Sequence, residues 1–335
     1  LEPHSVPAPR TIRARRFIEE EPMNTVTSFL KVPYRAGAIR LSIGTLLVML
    51  IGSVILLPGF LASENLSNLL AQSTVLVISA LGQTFVILTG GLDVSVGSII
   101  SVTTTIMTLD LPEIVRVLLC IAVAVAFGLA NGYGVARLNV HPIIMTLATM
   151  GIGQGLALII LPIPGGRVPE WLSASVAGAI GPIPNSFFWL IAASCAASWL
   201  LYRRPFGLYL FASGGNDFNA RMNGVPVERT VIKAYVLSAL FACAAGMFLA
   251  GRLASGDPKG GATFGIESVT AAALGGVHLA GGIGSILGTV VGAAILGIVN
   301  NVMNLANVSA FLQSVVKGLL LLALVVSQRR KTIGL

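Results

Sequence analysis

Apolar residues gather in long uninterrupted runs along this chain, at 41–57, 69–88, 114–135, 142–162, 187–201, 234–250, 270–280, 283–302 and 319–326. The longer runs approach the roughly 20 residues that cross a bilayer core. The shorter ones suit tilted spans, broken helices or re-entrant segments. The pattern predicts an all-α, polytopic integral membrane protein of about ten transmembrane or re-entrant helices.

Three stretches break the apolar monotony. The first is GGLDVSVGS at 90–98. Gly90 and Gly91 can end one helix and Val94 onward can begin the next. Asp93 then sits as an N-cap, accepting a backbone N–H from Ser95 or Val96. A place on a translocation path is compatible with that role. Downstream, Ser98, Ser101 and Thr105 fall on one helix face. This polar stripe is able to meet hydroxyl groups or to bond back to its own helix carbonyls. Gln83, Ser95, Asn300 and Asn301 are further polar residues in apolar surroundings and complete the candidate path set.

The second stretch, 161–186, is rich in Pro and Gly and carries Trp171, a residue suited to a membrane interface. The third, 203–230, is the largest polar insertion. Within it Asn216 can cap a helix, Asp217 favours the first turn by its charge, Gly224 suits the position after the last turn, and Pro226 prevents continuation. These signals predict a helix of about two turns over 217–223. Phe218 and Met222, four apart, share one face of it and leave two apolar knobs on a surface helix. Arg221 lies on the exposed part. The arrangement suits a docking element, the alternative being a surface helix that covers its own spans.

Glycines recur every four residues at Gly284, Gly288 and Gly292, at Gly128 and Gly132, and at Gly151 and Gly155. In lipid, small residues at this spacing let helix backbones approach closely. GGLDVSVGSII at 90–100 and GGVHLAGGIGSIL at 275–287 share their ends, but the echo is too loose to argue a repeat.

Composition agrees with the pattern. Hydrophobic residues make up 55% of the 335 positions and charged residues 10%, against about 25% in a soluble domain. The net charge of +8 changes meaning once it is placed on the chain. Basic residues cluster at 10–40, at 203–233 and at 329–331, the positive-inside arrangement. With both termini cytoplasmic, Arg116, Arg167, Arg252 and Lys259 fall in outside loops and Lys317 at the edge of a span, either snorkelling to the interface or paired with a bundle carboxylate. Snorkelling is the reading preferred here, and nucleic acid is not expected as a partner. Cys120, Cys195 and Cys243 stand alone in apolar runs and read as small buried hydrophobes. About 40 residues, including RARRFIEEEP, precede the first apolar run, so a cleavable signal peptide is not expected and the tail reads as loosely ordered.

Enzyme chemistry finds no support. The chain has no Walker-type phosphate loop, no nucleophile elbow and no metal-ligand spacing among His4, His141 and His278. His141, before Pro142, marks a helix start, and His278 reads as a turn residue, the alternative being a place lining a path. No cofactor or metal is expected.

The motifs also carry a resemblance. LGQTFVILTGGLDVSVGSIIS resembles the signature stretch of the ribose-permease family of bacterial ABC importers. HPIIMTLATMGIGQGLALI, GGNDFNARMNGVPV, GIESVTAAALGGVHLAGGIGSILGTVVGAAILGIVNNVMNL and LQSVVKGLLLL continue it in order over about 40–328. The resemblance implies a multi-pass permease subunit of the cell inner membrane, paired with a second permease copy. Substrate would come from a periplasmic substrate-binding protein and energy from a cytoplasmic ATP-binding subunit. It assigns ATPase coupling to Asn216, Asp217, Phe218, Arg221, Met222 and Gly224. The organisation expected is a basic tail at 1–40, a permease domain at 41–328 containing the 203–230 loop, and a basic tail at 329–335. Monosaccharide import is the commonest implication. Nucleoside, autoinducer and branched-chain amino-acid permeases share the architecture, the last without the GGLDVS wording. His278 stands where a small hydroxyl residue is common in the family. An ion-coupled secondary transporter, with Asp93 and Lys317 as coupling charges, is the alternative from a different class.

Overall fold

The computed structural model describes residues 36–327; the basic clusters of the two tails, at 10–35 and 329–331, lie outside the described residues. Thirteen helices and one small hairpin appear among the described residues. In chain order they are α1 (Ala36–Leu56), α2 (Ser63–Leu88), α3 (Val96–Ile106), α4 (Glu113–Ala136), α5 (Pro142–Ile160) and α6 (Glu170–Ala177). Next come strands β1 (Ala179–Ile180) and β2 (Ile183–Pro184), then α7 (Asn185–Tyr202), α8 (Pro205–Gly215), α9 (Asp217–Met222) and α10 (Val227–Leu253). The chain ends in α11 (Phe264–Leu274), α12 (Ile286–Leu305) and α13 (Ala310–Ser327). Seven of them, α1, α2, α4, α5, α7, α10 and α12, are long and apolar enough to cross a membrane.

Burial divides the helices into two groups. α2, α10 and α12 are largely buried, and α10 packs against α2, α3 and α4. α1, α4, α5 and α7 turn broad apolar faces outward. Such faces suit lipid rather than water. Cys195 lies on one of them and is exposed, which corrects its reading as buried; Cys120 and Cys243 are buried as expected.

Glycines set the closest approaches. A Cβ added at Gly128 or Gly132 would stand 2.6 Å from Val236 Cα or 2.7 Å from Ile232 Cα, so α4 lies backbone-on-backbone against α10. Gly288 and Gly292 press α12 onto Ala271 and Gly275 in the same way, and Gly284, ahead of α12, meets Val277 and Leu88. Gly151 and Gly155 do not follow: nothing approaches within 4 Å of either, and α5 packs instead through Gly153, against Ser98. The four-residue spacing was present there, but on a face turned away from the bundle.

The run at 270–280 is not one helix. α11 stops at Leu274, and Gly276, Gly281 and Gly282 take positive φ in a loop that reaches Ser285. This loop meets the end of α2 and the end of α8 almost entirely through main chain. Gly282 N–H donates to the Leu88 carbonyl at 3.0 Å, and an added Cβ at Gly214 would strike Leu88 O and Gly282 N. His278 sits in the same loop as a turn residue, its own N–H bonded to Ile283 O. His141 likewise precedes a helix that starts at Pro142.

The architecture turns on α3 and α11. Each has 11 residues, about 16 Å at 1.5 Å per residue, or half of a roughly 30 Å hydrocarbon core. Their N-terminal turns lie against each other. An added Cβ at Gly97 would meet Gly261 O, and one at Gly265 would meet Val94 O. The connecting residues 257–261 run back along α3, with Thr104 Oγ1 donating to Asp257 O at 2.8 Å and Gly261 N–H donating to Ser101 Oγ at 3.1 Å. α3 then leads to the end of the bundle that carries Arg116, and α11 to the end that carries α9. Two half-helices thus meet N-terminus to N-terminus near the middle of α10, a form of broken helix tolerated in a membrane only where protein surrounds it.

Candidate functional site

The meeting point of the half-helices gathers the buried polar residues of the molecule. α2 ends at Leu88, Gly90 takes φ +83° and the chain doubles back. Asp93, fully buried, lies just ahead of α3. Its Oδ1 accepts the N–H of Ser95 at 3.0 Å and the Ser95 hydroxyl; its Oδ2 accepts the Ser238 hydroxyl of α10 at 3.0 Å. The Ser95 bond is the one the sequence suggested, although the helix itself opens at Val96. Gln83 of α2 holds the Asp93 main chain from the other side, its amide donating to Asp93 O and accepting from Asp93 N, both at 3.0 Å. The network continues outward: Asn131 Nδ2 of α4 donates to Ser95 Oγ at 2.8 Å, and Thr149 Oγ1 of α5 donates to Asn131 Oδ1 at 2.7 Å. Five helices are joined around one aspartate, through its carboxylate, its main chain and Ser95. Sequence reasoning missed Asn131, Thr149 and Ser238; an amide between two packing glycines, in GLANG, was the available signal for the first.

The other candidates of the path set are equally enclosed. Ser98 and Thr105 bond back to the carbonyls of Ser95 and Val102, and Ser101 receives Gly261 N–H. The stripe is therefore closed by α5 and by the 257–261 strand of chain, and none of its hydroxyls reaches solvent. Asn301 exchanges two amide bonds with Asn65, at 2.8 and 3.2 Å, tying α12 to α2. Asn300 is buried beside it, with its Oδ1 unpartnered among the described residues.

A second carboxylate belongs to the other half-helix. Glu267, in the first turn of α11, pairs with Lys317 of α13 at 2.6 Å, with side chains 8% and 17% exposed. The preferred snorkelling reading of Lys317 is thus corrected. The ammonium turns inward because a buried carboxylate without a counter-charge is far costlier than a paired one. The Glu267 position also favours negative charge, since it sits in the first turn of a helix.

At the end of the bundle where α10 begins, α9 has the ends the sequence predicted. Asn216 Oδ1 accepts Asn219 N–H at 2.9 Å, and Gly224 takes φ +77° after the last turn. Phe218 and Met222 are 68% and 74% exposed, while Ala220 faces inward. Arg221 is not a free rim charge: it lies 3.4 Å from Glu228, which also meets Arg137 of α4 at 3.5 Å. The six coupling candidates thus come together in one short surface element; the path candidates come together at the half-helix junction and along α12.

Comparison with known proteins adds a family. A model described as "Branched-chain amino acid transport system / permease component" matches residues 65–325. The chain is 36% identical over 294 residues to the ribose import permease protein RbsC of Bacillus subtilis (strain 168), covering 86% of this chain and 91% of that one. Identity to RbsC of Escherichia coli (strain K12) is 34% over 305 residues, covering 87% and 93%. To the L-arabinose transport system permease protein AraH of Escherichia coli (strain K12) it is 38% over 296 residues, covering 85% and 88%. No solved structure matches. The matched residues hold both half-helices, α9 and six of the seven long apolar helices, and the chain belongs to the branched-chain amino acid transport system permease component family, as a multi-pass membrane protein.

Proposed function

We propose that this chain is the membrane-spanning permease of an ATP-driven importer that carries a monosaccharide across the inner membrane. The observation that carries the reading is α9: short, capped at both ends, and exposing Phe218 and Met222 at the end of the bundle. A cytoplasmic ATP-binding subunit needs such a rigid contact, because a permease with no Walker-type phosphate loop of its own would receive its driving force from that subunit. Ribose and arabinose in the names of the relatives, together with the GGLDVS wording, support a pentose or hexose over a branched-chain amino acid. A periplasmic substrate-binding protein delivers the sugar, and a second permease copy, against one of the outward apolar faces, completes the pathway.

Sidedness follows from charge. The α9 end carries Arg137, Arg203, Arg204, Arg221, Arg229 and Lys233 and faces the cytoplasm under the positive-inside rule. In this reading Asn216, Asp217 and Gly224 hold α9 in shape, and Phe218 and Met222 seat in the ATPase. The polar set around Asp93 serves the pathway indirectly, by holding the half-helix junction closed.

The test is reconstitution in liposomes. Uptake should require the ATPase, the binding protein and ATP; uptake by the permease alone on an ion gradient would instead make it a secondary carrier. Phe218→Ala should weaken ATPase co-purification by roughly 2 kcal/mol, at unchanged permease abundance and melting temperature. Full retention with normal substrate-stimulated ATP hydrolysis would remove α9 from the coupling role.

A further inference from the structure

The opposite end of the bundle from α9 contains an open cavity of about 500 Å³, lined by the start of α2, the end of α6, the hairpin and the end of α10. Arg252, in the last turn of α10, lines it. It lies about 37 Å along α10 from the α9 end, at 1.5 Å per residue. The guanidinium is half-buried, yet it has no ion pair, hydrogen bond or ring contact among the described residues, and no carboxylate lines the cavity. Every other cation described in the inner part of the fold has found a partner: Lys317 pairs with Glu267, and Arg116 donates to Met107 O and Leu111 O.

Two exposed polar side chains stand beside Arg252. Ser67 and Asn68, on the second turn of α2, also line the cavity and make no side-chain hydrogen bond within the described chain. One half-buried cation and two exposed neutral polar groups therefore line a space within the usual range of small-molecule sites. A guanidinium presents its N–H groups in a planar fork that fits a carboxylate bidentately. Removing part of its hydration without a counter-charge is unfavourable, and a bound anion offsets that.

We infer that this cavity binds a small organic carboxylate bearing hydroxyl groups, of the sugar-acid class, with the carboxylate on Arg252 and the hydroxyls on Ser67 and Asn68. A phospholipid headgroup is the competing occupant, since its phosphate also suits Arg252. The polar side chains of α2 favour the hydroxylated acid, because an acyl chain has no use for them. The site stands apart from α9 and from the half-helix junction, so the inference does not depend on which solute is transported.

The experiment is direct binding to the purified chain in phosphatidylcholine nanodiscs, by calorimetry, with galacturonate as probe and galactose as its neutral counterpart. Galacturonate should bind at least tenfold more tightly than galactose. Arg252→Gln should lose at least tenfold, and Ala177→Trp, which fills the cavity from an exposed position, should abolish binding with the melting temperature retained. Equal binding of acid and neutral sugar overturns the proposal. So does galacturonate binding that survives both substitutions. Retention of phosphatidylglycerol by native mass spectrometry, with no galacturonate binding, would make this a lipid site and overturn it as well.

Discussion

Asp93 and Glu267 occupy equivalent places, one beside the first turn of each half-helix, and the protein stabilises them in opposite ways. Asp93 is surrounded by neutral donors from its own turn and from α10, and its main chain is held by Gln83. Glu267 has one cation, brought by a helix that otherwise shows much of its length to the surroundings. The first arrangement is distributed: five helices share it, and no single bond decides it. The second is concentrated in one contact between α11 and α13. A carboxylate in an apolar bundle can be accommodated by many dipoles or by one charge, and the two solutions should fail differently.

Lys317→Met gives the sharpest break in that contrast. It leaves Glu267 buried and uncompensated, and breaking such a pair costs about 3–5 kcal/mol. A large drop in the melting temperature of the detergent-purified chain is expected, with most of it restored by adding Glu267→Gln. A double variant no more stable than Lys317→Met would show that the pair acts through packing rather than charge. Asp93→Ala comes next. It strands the Ser238 hydroxyl and removes the acceptor at the start of α3, for an expected loss of about 2 kcal/mol. The same melting measurement reads it, and transport should fall in parallel. Asp93→Asn should have the smallest effect, below about 1 kcal/mol, because the amide oxygen still accepts from Ser95 and the Ser238 hydroxyl can turn to accept from the amide. If Asp93→Asn abolishes uptake while abundance and melting stay normal, the neutral cradle is not the whole role of Asp93 and its charge acts on the pathway.

The contrast also marks what could be read in the sequence. Asp93 was legible because its cap lies two residues away, and α9 because Asn216, Gly224 and Pro226 write both of its ends locally. Glu267 was not, since its partner is 50 residues distant on another helix and no local pattern joins them. Periodicity placed Ser98, Ser101 and Thr105 on one face correctly, but which element covers a face is a tertiary matter, and here α5 and 257–261 do. The same limit explains Gly151 and Gly155, whose spacing matched packing glycines on an open face, and Cys195, whose apolar neighbours line an outer helix. The run at 270–280, one of the short runs that suit broken helices, shows why its end was not legible: composition stayed apolar across Gly275 and Gly276 while the backbone had already turned.

The contact among Gly214, Leu88 and Gly282 has a mechanical meaning. Side chains carry slack, because rotamers can hop and take up a displacement before the backbone moves. Here main chain rests on main chain, and one of the touching groups is a peptide hydrogen bond. α8 leads straight into Asn216 and α9, so the junction is a joint without backlash. In the coupling role proposed for α9, a tilt of that helix would reach the end of α2 and the approach to α12 in the same stroke. A methyl group at Gly214 would act there as a wedge, holding the joint permanently ajar.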